Sequence, residues 1–164
     1  MAEIQKVADT EDVARILSRE WVVEGVLINA AFTLRPQETY ISVNRPAIST
    51  FDDDVATFVE AHPSFFLDEE QKLYRCAVLQ VAGIRGIEVG NEETLLNIDV
   101  EVEPRDVFTK SHAGIFTRYE DKNLKQGDVM TAMDREYSTD DILLEVRTQL
   151  MKLATISERT VSHP

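Results

Sequence analysis

The side chains best able to do chemistry in this chain are three histidines, a few arginines and a row of carboxylates. His112 lies in Lys110-Ser111-His112-Ala113-Gly114-Ile115, where an apolar run begins beside small residues. Small neighbours let a ligand or a backbone approach closely, and imidazole moves protons near neutral pH. His112 is therefore the candidate acid–base. The plainer reading is a half-buried structural histidine held by a backbone carbonyl. His62 falls at a helix end, where the dipole explains it, and His163 falls in the tail. A second polar set is Arg35, Glu38, Tyr40, Ser42 and Arg45. Tyr40 and Ser42 share one face of a strand and Arg45 follows at its end. If His112 sits on a neighbouring strand, these residues line one pocket. Arg35, Ser42, Arg45 or the more distant Arg85 would then position an anionic ligand.

The carboxylates Asp99, Glu101 and Glu103 alternate along a strand, so they lie about 6.6–7 Å apart. Such a row cannot close on one calcium ion, whose oxygens stand at about 2.3–2.6 Å. It suits a basic partner surface, or else it is a solvated face or a charged edge that blocks strand addition. Asp52, Asp53 and Asp54 are consecutive at a helix start, where the dipole favours them. Helical neighbours point about 100° apart and do not converge on a metal. One cysteine and three scattered histidines give no zinc spacing, and there is no HExxH. Gly83, Gly86 and Gly90 match neither a Walker loop nor GxGxxG, and no GxSxG elbow is present. No metal or cofactor is expected.

These residues need elements to hold them. A helix is expected from Glu11 to Arg19, with Asp9 and Thr10 as caps and Val13, Ile16 and Leu17 on one face. A strand from Gly25 to Leu34, a turn at Arg35-Pro36-Gln37-Glu38 and a strand from Thr39 to Asn44 follow. In the second strand Ile41 and Val43 oppose Tyr40 and Ser42. A helix then starts near Ser49 or Thr50, carries Val55, Phe58 and Val59 on its apolar stripe, and stops at His62-Pro63.

A strand is expected over Leu73–Val81. Cys76 there reads as a small buried hydrophobe, since no basic neighbourhood activates its thiol. The clearest strand is Leu95–Glu103, with Leu96, Ile98, Val100 and Val102 inward and the acids on a wet face. His112–Arg118 makes another strand, and Tyr119–Gly127 a loop. A final helix spans Thr139–Ile156, its stripe formed by Ile142, Leu143, Val146, Leu150 and Leu153. The fold class is α+β: a mixed, mostly antiparallel sheet with two or three helices packed on one face. Residues 1–156 form one domain and 157–164 a frayed tail.

A chain of 164 residues fits one domain without staples. Its apolar runs are far short of the ~20 residues that span a bilayer, and its N-terminus has no signal-peptide pattern. With a single cysteine, a reducing bacterial cytoplasm is expected. The 17 basic and 30 acidic residues give a net charge of −13, which opposes binding to nucleic acid or anionic lipid. It keeps the protein soluble and admits a basic partner protein.

Trp21-Val-Val-Glu-Gly25, Ala31-Phe32, Glu38-Thr-Tyr-Ile-Ser-Val43 and His112-Ala-Gly-Ile115 together resemble a pattern found in a group of small bacterial proteins of unknown function. The resemblance spans about residues 15 to 118. It implies that the first hairpin and His112 belong to one module, and it carries no activity. Two functional readings follow. One is a non-catalytic binding or regulatory protein, of immunity, antitoxin or anti-defence type, that meets a partner through Asp99, Glu101 and Glu103 or through the last helix. The other is a small enzyme or ligand-binding protein with a polar pocket around His112 and the Arg35–Arg45 hairpin, in which Tyr40, Ser42 and Arg85 also take part.

Overall fold

A computed structural model of the chain describes residues 5–33, 40–89, 94–102, 109–121, 130–131 and 141–161. Its elements are β1 (Asp12–Leu17), β2 (Val22–Val23), β3 (Val26–Leu27), β4 (Tyr40–Asn44), α1 (Phe51–Ala61), β5 (Phe66–Asp68), β6 (Leu73–Gln80), α2 (Val81–Arg85), β7 (Thr94–Val102), β8 (His112–Asp121), β9 (Met130–Thr131), α3 (Asp141–Leu153) and β10 (Thr155–Thr160). The class is α+β. The main sheet runs β10-β6-β1-β4-β8-β7, with β5 beside β6 and β9 beside β8, and every described pairing is antiparallel.

Strand β1 replaces the helix expected over Glu11–Arg19. Its partner is β6, from Asp12↔Gln80 to Leu17↔Arg75. Val13 and Leu17 enter one core while Ala14 and Ile16 enter the other. A strand buried on both faces loses its polar alternation and shows a near-continuous apolar run, which mimics a helical stripe. The strand expected from Gly25 is also replaced. Glu24 and Gly25 have φ of 51° and 80° and form the tight turn between β2 and β3. The chain then makes a short 3-10 turn, Asn29–Phe32, that buries Ala31 and Phe32.

One core gathers Val13, Leu17, Ile41, Val43, Leu79, Val100 and Ile115 from the sheet, beneath Val146 and Leu150 of α3 and Ile84 of α2. Two helices thus share a face. The opposite face carries α1, whose Phe51, Val55 and Val59 lie on Ala14, Ile16, Tyr74 and Cys76. Each such large apolar side chain contributes about 1.5–3 kcal/mol of burial free energy. Helix α1 stops because Pro63 has no N–H to continue it, and His62 closes the last turn by donating to the Phe58 and Val59 carbonyls.

The C-terminal part departs from expectation. Helix α3 ends at Leu153, and Ile156 belongs to β10, which pairs with β6 from Thr155↔Val78 to Thr160↔Leu73. Ser157 to Thr160 are therefore sheet residues and not a frayed tail. Apolar Ile156 and the hydrogen-bonding edge of β6 together draw this segment in. At the other end of the sheet, the segment before β1 pairs with β7: Val7 N–H donates to Val100 O at 2.9 Å, and Val102 N–H donates to Gln5 O at 2.7 Å. Among the described residues no helix is long and apolar enough to cross a membrane.

Candidate ligand-binding site

Helix α1 packs over β1 and β6, and a cavity of about 570 Å³ opens beside it, toward β4 and β8. That volume lies within the range of small-molecule sites, roughly 300–1,000 Å³. The strands supply Ser42, Asn44 and His112, and α1 supplies Asp54, Thr57, Phe58 and Ala61. His62 and Phe65 follow the helix, while Arg15 and Trp21 close the far end.

The register explains why strand residues meet here. Asn44 pairs with His112 and Ser42 with Gly114, so alternate residues of both strands point to the α1 face. Gly114 has no side chain for a reason of space: a Cβ there would stand 2.5 Å from the Tyr40 ring and 2.8 Å from Phe116. Tyr40 lies across that glycine, with its ring centroid 4.8 Å from that of Phe116 and 5.9 Å from that of His112. The small-residue neighbourhood of His112 thus receives an aromatic ring from the same chain.

An aromatic wall closes one end. Trp21 and Phe65 meet edge to face at 5.6 Å, and Phe65 meets Phe58 at 4.9 Å. His62 stacks obliquely on Phe58 at 4.8 Å. Arg15 is wedged between β1 and β4 beyond their pair Ala14↔Asn44. Its Nε donates to Ala31 O at 3.0 Å and its Nη1 to Ser42 O at 2.8 Å, with the guanidinium 5.1 Å from the Trp21 ring centre. The planar fork satisfies one carbonyl of the 3-10 turn and one of β4, and covers an aromatic face as well. Sequence reasoning missed Arg15 because it placed the residue on a helix. A cation within an otherwise apolar five-residue run was the available signal.

The polar side is a chain of hydrogen bonds built on Asp54. Ser111, fully buried, donates its hydroxyl to Asp54 Oδ2 at 2.6 Å and its backbone N–H to the same oxygen at 3.0 Å. Asn44 Nδ2 donates to Ser111 Oγ at 2.9 Å, and Thr50 Oγ1 donates to Asp54 Oδ2 at 2.9 Å. Ser111 immediately precedes His112, so this network ties the start of β8 to α1. Asp54 was expected only to complement the helix dipole; Asp52 and Asp53 remain exposed at that end, and Asp54 turns inward.

Of the residues singled out by sequence, Ser42 and His112 line the cavity and Tyr40 contacts His112. Arg45 and Arg85 are not among its lining. Arg45 makes a two-pronged bond to Glu11, at 3.0 and 2.8 Å, and that bond holds the Glu11 carboxyl below the usual carboxylate range. Arg85 bonds Asp9, Asp99 at 2.7 Å and the Val100 carbonyl. Arg35 and Glu103 lie outside the described residues.

The acidic strand face is corrected too. Burial pushes the Asp99 pKa up, but hydrogen bonds from Lys6 and Arg85 outweigh it and leave the carboxyl below its ordinary value. Glu101 is 5% exposed, because the segment around Lys6 pairs across it. Neither acid stands on a wet face. Cys76 is fully buried beneath α1, and burial pushes its thiol up, as expected for an inert core residue. Among the described residues no group of three or more His, Cys, Asp or Glu is placed to hold a metal ion. Searches against protein-family models, curated proteins and solved structures gave no match to the chain.

Proposed function

We propose that this chain is a non-catalytic ligand-binding protein of a bacterial cytosol, and that it takes a small planar molecule in the cavity between α1 and strands β4 and β8. One observation carries the reading. A cavity of about 570 Å³ has the aromatic rings of Trp21, Phe58 and Phe65 at one end and Ser42, Asn44, Asp54 and His112 converging from separate elements. An apolar wall with a few convergent polar groups is what orients a small ligand. The hydroxyl nearest His112 in sequence, that of Ser111, is fully buried and turned to Asp54, so it is not offered to a substrate. Such an arrangement supports binding more than nucleophilic chemistry. Asp99 and Glu101, one paired and one buried, lend no support to a basic partner on that strand.

Trp21 is the chain's one tryptophan and it lines the cavity, so its fluorescence reports occupancy directly. The test is a titration of the full chain with single-ring aromatic probes bearing cationic, neutral and anionic substituents, repeated on Ala61→Trp with a calorimetric readout. Ala61 is exposed at the cavity edge, and an indole there fills the space without entering the core. Saturable binding by at least one probe, lost in Ala61→Trp, is expected. No binding by any probe, or equal binding by the filled variant, overturns the proposal.

A further inference from the structure

We infer that the cavity selects a planar cation rich in N–H donors, of the amidinium or guanidinium class; this rests on the ligand-binding reading above. Some of the lining's donors are spent internally. Thr57 Oγ1 donates to Asp53 O at 2.9 Å, and Asn44 Nδ2 donates to Ser111 Oγ. Arg15 has Nε and Nη1 on carbonyls and its face on Trp21, so the cation at the far end is committed to the protein.

The lining, which also carries Ser42, His62 and His112, offers acceptors as well. All three described bonds to Asp54 fall on Oδ2, which leaves Oδ1 of a carboxylate without a donor among the described residues. Asn44 keeps its amide oxygen and Thr57 its hydroxyl lone pairs. A ligand that brings donors satisfies these groups, whereas one that brings acceptors leaves them unpaired and meets a negative charge. A flat cation also fits the walls, because Phe58 and Phe65 offer aromatic faces and edges like that of Trp21, on which Arg15 already lies. The net charge of −13 draws cations to the surface and repels anions.

The same chemistry is available from a free small molecule or from an arginine side chain of a peptide, and the test separates the two. Benzamidine, benzamide and benzoate share one ring and differ in the head group, so calorimetric titration of the full chain isolates the group that is recognised. The peptide arm is acetyl-Gly-Arg-Gly-amide. Benzamidine is expected to bind about tenfold or more tighter than benzamide, with benzoate weakest, as a charge-assisted hydrogen bond requires. Benzamidine tighter than the peptide assigns a small-molecule source; the reverse order assigns an arginine side chain.

Asp54→Asn is expected to erase the preference for benzamidine over benzamide. Should that variant fail to fold, Thr57→Val, at an exposed position, is expected to weaken benzamidine by about threefold and leave benzoate unchanged. Benzamide or benzoate binding as tightly as benzamidine, with Trp21 responding, overturns the cation selectivity and leaves the pocket standing. Silence from all four probes removes both. A folded Asp54→Asn that keeps the preference also overturns the inference.

Discussion

Ser111 gives its hydroxyl proton to Asp54 Oδ2 at 2.6 Å, and this bond fastens the residue before His112 to the first turn of helix α1. The sheet and the helix therefore share one anchor at the cavity. Where Asp54 goes, the start of β8 follows.

Ser111→Ala removes a fully buried hydroxyl that donates to Asp54 and accepts from Asn44. Both partners lose a bond to a group that water does not reach. The expected cost is about 1–3 kcal/mol, read as a lower urea midpoint with an unchanged slope. Ser111→Thr, which keeps the hydroxyl, tests whether the space or the bond matters.

Gly114→Ala places a Cβ against the Tyr40 and Phe116 rings, at 2.5 and 2.8 Å. Tyr40 must swing away, and it carries its contact with His112 with it. The expected loss is about 1–3 kcal/mol. A second change, Tyr40→Ala, should relieve much of this, and a double-mutant cycle by chemical unfolding measures the coupling.

The Glu11–Arg45 pair predicts a pH dependence. The Glu11 carboxyl titrates lower in the folded chain than in the unfolded one, chiefly through the Arg45 hydrogen bond. Its stabilising contribution is complete above the ordinary carboxylate value and is lost as pH falls through the lower folded value. Asp99 is displaced in the same direction by Lys6 and Arg85, so it adds to the same acid window. Glu11→Gln should flatten its share of the stability loss below about pH 4.5, the ordinary value from which the shift starts. A parallel curve for wild type and variant through that window counts against the pair.

Cys76 is fully buried and its thiol pKa is raised by that burial. A thiol reagent at neutral pH should label the native chain at the rate of unfolding, and label it at once in denaturant. Rapid labelling of the folded protein would place Cys76 outside the core.

Much of the fold was legible where one face is wet. Strand β4 alternates Tyr40, Ser42 and Asn44 against Ile41 and Val43, and the burial follows that pattern. Helix α1 announced itself by its first-turn aspartates and its Pro63 stop. Strand β1 did not, because Val13, Ala14, Ile16 and Leu17 are buried on two faces and a strand of that kind has no polar period to read. The same loss hid Arg15. Strand β10 was hidden because Thr155 to Thr160 is largely polar, and its place in the sheet comes from a partner edge that local sequence does not display. In the site, Ser42 and His112 could be named from residue type. Asp54 and Trp21 could not, since their roles come from the packing of α1 against the sheet.

Strand β6 sits between β1, which precedes it by many residues, and β10, which follows it by more still. As the chain leaves the ribosome, β6 can find β1 early, but its other edge stays open until α3 and β10 have emerged. Folding is thus governed by contacts between distant parts of the sequence, which places it toward the slow end for domains of this size, on the order of milliseconds to seconds. During that interval the bare edge of Leu73–Val78 is open to pairing with a second nascent chain.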